Sequence, residues 1–148
     1  MRMESADPAR TSLLLDTHVV LWATLDTGRL GKETETALNL ASREDRLLIS
    51  AITLWEIGLL ASKRRINLHR DAVEWVRGAL GKPGVHAVPL EPEIAVGSNQ
   101  LPFEMHADPA DRILVATARH LGATLVTADR LLLELANRGH FRAIDAAF

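Results

Sequence analysis

Residues 108–129 read DPADRILVATARHLGATLVTAD. Asp108 followed by Pro109 has the form of a helix cap and first helical residue, because proline lacks an amide that would have no partner in the first turn anyway. A helix then runs to about Leu121, and Gly122 closes it. Thr124 to Thr127 reads as a strand, and an acid, Asp129, stands just past its end. The same alternation extends in both directions. Upstream, Leu13–Leu15 reads as a strand ending at Asp16 and His18–Leu25 as a short apolar helix. After Gly31, Lys32–Arg43 is an amphipathic helix with Ala37, Leu38, Leu40 and Ala41 on its apolar side. Leu47–Ile49 is a strand, and Ser50 can cap a helix from Ala51 to about Arg64. Asp71–Leu80 is a helix stopped by Gly81, Pro83 and Gly84; Val85–Leu90 is a strand and Pro92–Gln100 a short helix. Downstream, Arg130–Ala136 is a helix and Phe141–Ile144 a weak last strand. Strands alternating with helices predict an α/β fold, a parallel sheet covered on both faces. Ligands of such sheets sit at the carboxyl ends of strands, so function is sought just after each apolar run.

Composition narrows the chemistry. A length of 148 residues fits one domain, able to bury about two-thirds of its unfolded surface without staples. The hydrophobic share of 47% and charged share of 24% are those of a globular chain, not a disordered one. With no cysteine, a disulfide framework, a zinc-thiolate site, an iron–sulfur cluster and a cysteine nucleophile are excluded. A net charge of −2 gives no global attraction to nucleic acid or anionic membrane, so any such contact needs a local basic patch. No apolar stretch approaches the roughly 20 residues of a spanning helix. MRMESADPAR lacks the apolar segment of a signal peptide. The expectation is a cytoplasmic protein with a flexible N-terminal arm, 1–10, and one domain, 11–148.

Several acids stand in unusual settings. Asp16 is the only charged residue between Arg10 and Asp26. An ionised carboxylate there needs compensation, or it is simply a helix cap. Glu56 is the only charged residue from Leu47 to Ser62, in a helix, AITLWEIGLLA, that is apolar on nearly every side and is therefore expected to be buried. Ile52, Leu59 and Leu60 share its face, and no basic residue lies within a turn to pair with it. A remote Arg or a backbone donor is the structural alternative to a functional role. Asp108 reads as a cap, and Asp111 takes the third helical position, where helix dipoles favour acids. Asp129 fits a further cap, with Thr127 as the polar end of its strand. Each has a local explanation. Together they would be gathered on one edge by parallel topology, where carboxylates repel unless protonated or neutralised by a cation. Oxygen-only ligands suit Mg²⁺ or Mn²⁺, and no two of the six histidines have the helical spacing that would suggest zinc.

Four blocks in order, LLLDTHVVLW, ISAITLWEIGLL, HADPADRILVATA and LVTADRLL, resemble the PIN-domain family, and more narrowly the VapC-type ribonuclease toxins of bacterial toxin–antitoxin pairs. The resemblance runs from about Leu13 to Phe148. It implies a three-layer α/β/α fold with a central parallel sheet. It implies an acidic pocket that binds Mg²⁺ or Mn²⁺ and cleaves RNA. Asp16 matches the first-strand aspartate, Glu56 the helix glutamate, Asp111 the aspartate before R-x-L-x-A-x-A and Asp129 that of T-x-D. Thr127 matches a supporting polar residue, and Asp108 is kept as a cap. Ala110 departs from the Phe often found there.

The implied roles are Asp16, Asp111 and Asp129 as metal ligands, with Glu56 as a further ligand or as the group that holds or deprotonates the attacking water. A bound divalent ion can activate water and polarise a phosphate oxygen, and the implied products are a 3′-hydroxyl and a 5′-phosphate. RNA contacts are sought among Lys63, Arg64, Arg65, Arg112 and Arg130, although the first three equally suit a helix C-terminus. Arg112 and Arg130 adjoin site acids and would orient carboxylates or touch phosphate. Trp22, Trp55 and Trp75 have helical settings that favour core or dimer packing over base stacking. The resemblance also implies a homodimer and a small antitoxin, with Val19 and Trp22 among its contacts. The alternatives are a PIN-type nuclease outside any toxin pair, a structural dimerisation domain whose acids are all caps, and a receiver-like Mg²⁺-binding module. The last needs a Lys after a late strand, and the last Lys here is Lys82.

Overall fold

Three leucines in succession, Leu13–Leu15 (β1), are buried, but not in one core. Successive side chains of a strand point to opposite faces. Leu13 and Leu15 enter one apolar cluster and Leu14 another, so β1 has a helical layer on each side. The computed structural model describes residues 11–148; the expected arm, 1–10, lies outside the described residues.

After β1 the chain forms α1 (Thr17–Thr24), α2 (Lys32–Arg43), β2 (Leu47–Ser50), α3 (Ala51–Ser62), α4 (Ala72–Leu80) and β3 (Val85–Val88). It continues through α5 (Pro92–Ala95), a 3-10 turn (Gly97–Asn99), α6 (Pro109–Leu121), β4 (Thr124–Thr127), α7 (Arg130–Asn137) and β5 (Arg142–Asp145). The expected elements are present with their ends moved by a residue or two, except that the Pro92–Gln100 helix is split in two. Gly122 ends α6 as read from sequence, in the left-handed conformation at φ 63°.

The five strands are all parallel, in the order β3-β2-β1-β4-β5. One face is packed by α1, α2, α3 and α4 through Val19, Leu38, Ile57 and Trp75, among others. The other is packed by α6 and α7 through Leu114, Val115, Leu132 and Leu135, and by α5 through Ile94. This is the expected three-layer α/β/α architecture. The strand order reverses between β1 and β4, and in open parallel sheets the crevice outside the carboxyl ends at such a reversal is where ligands bind.

The expectation for α3 needs correction. It lies against α1, α4 and α6, yet only Thr53 and Ile57 are buried, and Trp55 is 61% exposed. Here α1, α4 and α6 leave part of its apolar surface uncovered, Trp55 included. Trp75 does lie in the core and Trp22 is half-buried against it, so Trp55 is the tryptophan that departs from core packing.

Candidate active site

At the reversal point β1 and β4 end side by side. Leu15 is in register with Val126, and the Asp16 amide donates to the Val126 carbonyl at 3.0 Å. The residues just beyond must therefore meet. Asp16 is only 5% exposed. Its Oδ1 accepts the Thr17 amide at 2.7 Å, and its Oδ2 accepts the hydroxyl of the fully buried Thr127, also at 2.7 Å. The Thr127 hydroxyl in turn accepts the Asp129 amide at 3.0 Å. Asp129 is the N-cap of α7, its Oδ1 taking the amides of Leu131 and Leu132 at 2.8 and 3.2 Å. One oxygen suffices for that cap, so capping does not exhaust the carboxylate.

Glu56 reaches the same place from α3. Its Oε1 accepts the Thr17 hydroxyl at 2.5 Å. Thr17 thus holds Asp16 with its amide and Glu56 with its side chain, and the remote donor sought for Glu56 is a threonine rather than an arginine. Asp111 arrives from α6, and here the local reading divides cleanly. Asp108 Oδ1 caps the helix by accepting the amides of Ala110 and Asp111 at 2.9 and 3.2 Å. The Asp111 side chain is therefore not needed as a cap. Its Oδ2 lies 2.7 Å from His106 Nε2.

The electrostatics register this convergence. Burial pushes the Asp16 carboxyl above its usual range, opposed by the Thr127 hydroxyl, His18 and the Thr17 amide, and reinforced by the Asp129 charge. Glu56 is raised by burial first, against the Thr17 hydrogen bond, and further by the charges of Asp16, Asp108 and Asp111. Asp111 is raised by burial, against the His106 hydrogen bond, and further by Asp108, Asp16 and Asp129. Charges from four separated segments thus oppose the ionisation of Asp16, Glu56 and Asp111. Among the described residues no Lys or Arg forms an ion pair with any of the four. Such a donor set, all oxygen and rich in negative charge, fits a hard divalent cation.

No three of these carboxylates bring ligand oxygens within 4.8 Å of one another. Among the described residues the group that does is Glu91, Glu93 and His120, all exposed and none of them among the expected ligands. Mg²⁺ commonly keeps several waters and uses one or two carboxylates directly, so the looser arrangement is compatible with it.

The cationic expectations fare less evenly. The Arg112 guanidinium is directed to backbone, Nε donating to the Ser98 carbonyl at 3.0 Å and Nη1 to that of Met105 at 3.3 Å. It braces the loop before α6 instead of orienting a carboxylate. Lys63, Arg64 and Arg65 follow the end of α3 and are exposed, as is Arg130. Thr17 and His106 went unassigned in the sequence reading. Both lie inside the quoted blocks, and Thr17 directly follows Asp16. The signal for His106 is its place five residues before Asp111, a spacing outside those that suggest a zinc site.

Comparison with known proteins gives three concordant results. Residues 13–138 match the PIN domain family. Ribonuclease VapC22 of Mycobacterium tuberculosis (strain ATCC 25618 / H37Rv) is 35% identical over 122 residues, 82% of this chain and 90% of that protein. Among solved structures, VapBC2 from Rickettsia felis bound to a promoter DNA fragment superposes with a TM-score of 0.68 at 16% identity, covering 91% of this chain and 98% of that one. DNA-bound VapBC from Salmonella typhimurium gives 0.66 at 20% identity, with the same coverages, 91% and 98%. At these identities the structural likeness establishes the fold.

Proposed function

This chain belongs to the PIN-domain family, and on that premise we propose that it is a divalent-metal-dependent endoribonuclease, the toxin of a VapC-type pair, working through Asp16, Glu56, Asp111 and Asp129. Residues 11–148 form the catalytic domain in this reading. The observation that carries it is Asp16: a carboxylate 5% exposed, at the carboxyl end of the central strand, with no Lys or Arg paired to it among the described residues and three other acids around it. Asp16 also caps α1 through the Thr17 amide, but that bond and the one from Thr127 offset only part of the cost of burying its charge, since burial still raises the carboxyl.

Asp16, Asp111 and Asp129 are the residues that would hold Mg²⁺ or Mn²⁺, with Glu56 beside them. When bound, the ion lowers the pKa of a coordinated water and polarises a phosphate oxygen. The chain's own residues do the rest. Thr17 and Thr127 orient Asp16 from either side. The same Thr17 fixes one oxygen of Glu56, leaving the other to hold a water or accept its proton. A carboxyl raised by burial and neighbouring charge is a better proton acceptor once ionised than an ordinary one. The water oxygen would form a new bond to phosphorus as the bond to the 3′-oxygen breaks; Glu56 would take the water's proton and the leaving 3′-oxygen would take one from solvent, giving a 3′-hydroxyl and a 5′-phosphate.

Both solved neighbours quoted above are VapBC complexes, which supports a small antitoxin as partner here. The half-exposed apolar surface of α3, with Trp55, supplies area for an antitoxin or for a homodimer. No helix among the described residues is long and apolar enough to cross a membrane, and the proposed site of action is the cytoplasm. A PIN-type nuclease outside a toxin pair would use the same acids, so growth arrest on expression and its relief by a neighbouring small gene separate those two readings.

The direct test is cleavage. Purified protein with Mg²⁺ or Mn²⁺ is expected to cut RNA, EDTA to stop it, and Glu56→Gln to lower the rate by at least ~100-fold with the fold intact. Undiminished cleavage in EDTA, or by Glu56→Gln, overturns the assignment.

A further inference from the structure

We propose that His106 is a positioning residue for the metal site: it holds one oxygen of Asp111 so that the other is presented to the ion. The proposal rests on the acidic-site reading above. His106 Nε2 and Asp111 Oδ2 are 2.7 Å apart, and both side chains are largely shielded, 29% and 18% exposed. A carboxylate fixed at one oxygen has lost most of its rotational freedom, so its second oxygen points in a defined direction. Metal-ligating carboxylates are commonly held in this way by an outer hydrogen-bond partner, and removal of such a partner costs affinity.

Three features argue against an incidental contact. First, Asp111 does not need the histidine for helix formation, since Asp108 supplies the cap. Second, the segment that carries His106 is fastened from the far side, where Arg112 donates to the Ser98 and Met105 carbonyls. That clamp sets the backbone next to His106 and is made by the residue next to Asp111, so the two partners are registered against one another. Third, the other acids with a shielded oxygen are held by threonine hydroxyls: Asp16 by Thr127 and Glu56 by Thr17. Each of the three raised carboxyls therefore has one side-chain donor on one oxygen. His106 is the member of that set supplied by a loop.

Metal binding without RNA tests this in the full-length protein. Mn²⁺ is titrated by calorimetry and by electron paramagnetic resonance into wild type, Asp16→Asn, His106→Ala and His106→Gln. Wild type is expected to bind and Asp16→Asn to lose binding. His106→Ala is expected to weaken Mn²⁺ by about 10-fold or more. His106→Gln keeps an N–H donor near the same place and is expected to recover most of the affinity. Circular dichroism and urea unfolding of each variant check that the fold persists, which a merely structural explanation would not require to accompany a change in affinity. Equal affinity in wild type and His106→Ala overturns the positioning role while leaving the acidic site standing. A nitrogen coupling typical of direct imidazole ligation in the pulsed spectrum overturns it in favour of His106 as a ligand. Absent saturable binding by wild type, or unchanged binding by Asp16→Asn, the acidic-site reading itself fails and the proposal with it.

Discussion

Thr127 is the residue on which the two central strand ends depend. Its hydroxyl donates to Asp16 Oδ2 at 2.7 Å and accepts the Asp129 amide at 3.0 Å, in a fully buried position. Replacing it with valine keeps the shape and removes both bonds. A buried group left without its partner costs about 1–3 kcal/mol. Thr127→Val should therefore lower the urea midpoint correspondingly, while Thr127→Ser, which keeps the hydroxyl, should lose much less. A midpoint for Thr127→Val equal to wild type would mean that water replaces the hydroxyl without cost. Thr127 was legible through the resemblance carried by LVTADRLL, in which it matches a supporting polar residue; on its own it read only as the polar end of a strand. Thr17 and His106 were not, because a lone threonine or histidine has many uses and only the tertiary contact selects one.

At the level of elements, α6 separates two aspartates three positions apart. Asp108 caps the helix, while the Asp111 carboxylate turns to His106 instead. Local physics reads both as helix-start acids, since the dipole favours either, and only the family resemblance sets Asp111 apart as a site acid with Asp108 as the cap. The structure distinguishes them by which oxygen meets the amides. Asp108→Ala should accordingly cost about 0.5–2 kcal/mol in unfolding free energy and leave Mn²⁺ affinity nearly unchanged, apart from the small relief of repulsion on Asp111 and Glu56. A stability equal to wild type, with Mn²⁺ binding abolished, would reverse the two assignments. The elements themselves were legible nearly to the residue, because Gly, Pro and cap residues punctuate a regular alternation. The burial of α3 was not. A single sequence shows that a helix is apolar all round, but not whether its own chain or another one covers it, and Trp55 is left 61% exposed.

Over the whole molecule, strand order decided the site. Sequence predicted parallel strands, but it did not give the order β3-β2-β1-β4-β5 that sets Asp16 beside Thr127. That arrangement has a global consequence for stability. Asp16, Glu56 and Asp111 all have carboxyls raised above their ordinary values, chiefly by burial. A folded state whose acids hold protons more tightly than the unfolded chain gains stability as pH falls into that range. The gain is fully present below the unfolded values and is lost as pH rises through the raised folded ones. The metal-free protein is therefore expected to carry a stability penalty from these groups at alkaline pH that shrinks as pH falls toward the ordinary carboxylate range. A divalent ion acts with the opposite slope, because it binds the deprotonated carboxylates. At a concentration 100 times its dissociation constant it adds about 2.7 kcal/mol. Thermal melts in EDTA and in Mn²⁺ should then diverge as pH rises. Asp16→Asn should close that gap while unfolding in EDTA at alkaline pH no earlier than wild type, since it removes a repelling charge. A gap that is flat with pH, or one that survives in Asp16→Asn, would mean that the ion stabilises the fold somewhere other than at the ends of β1 and β4.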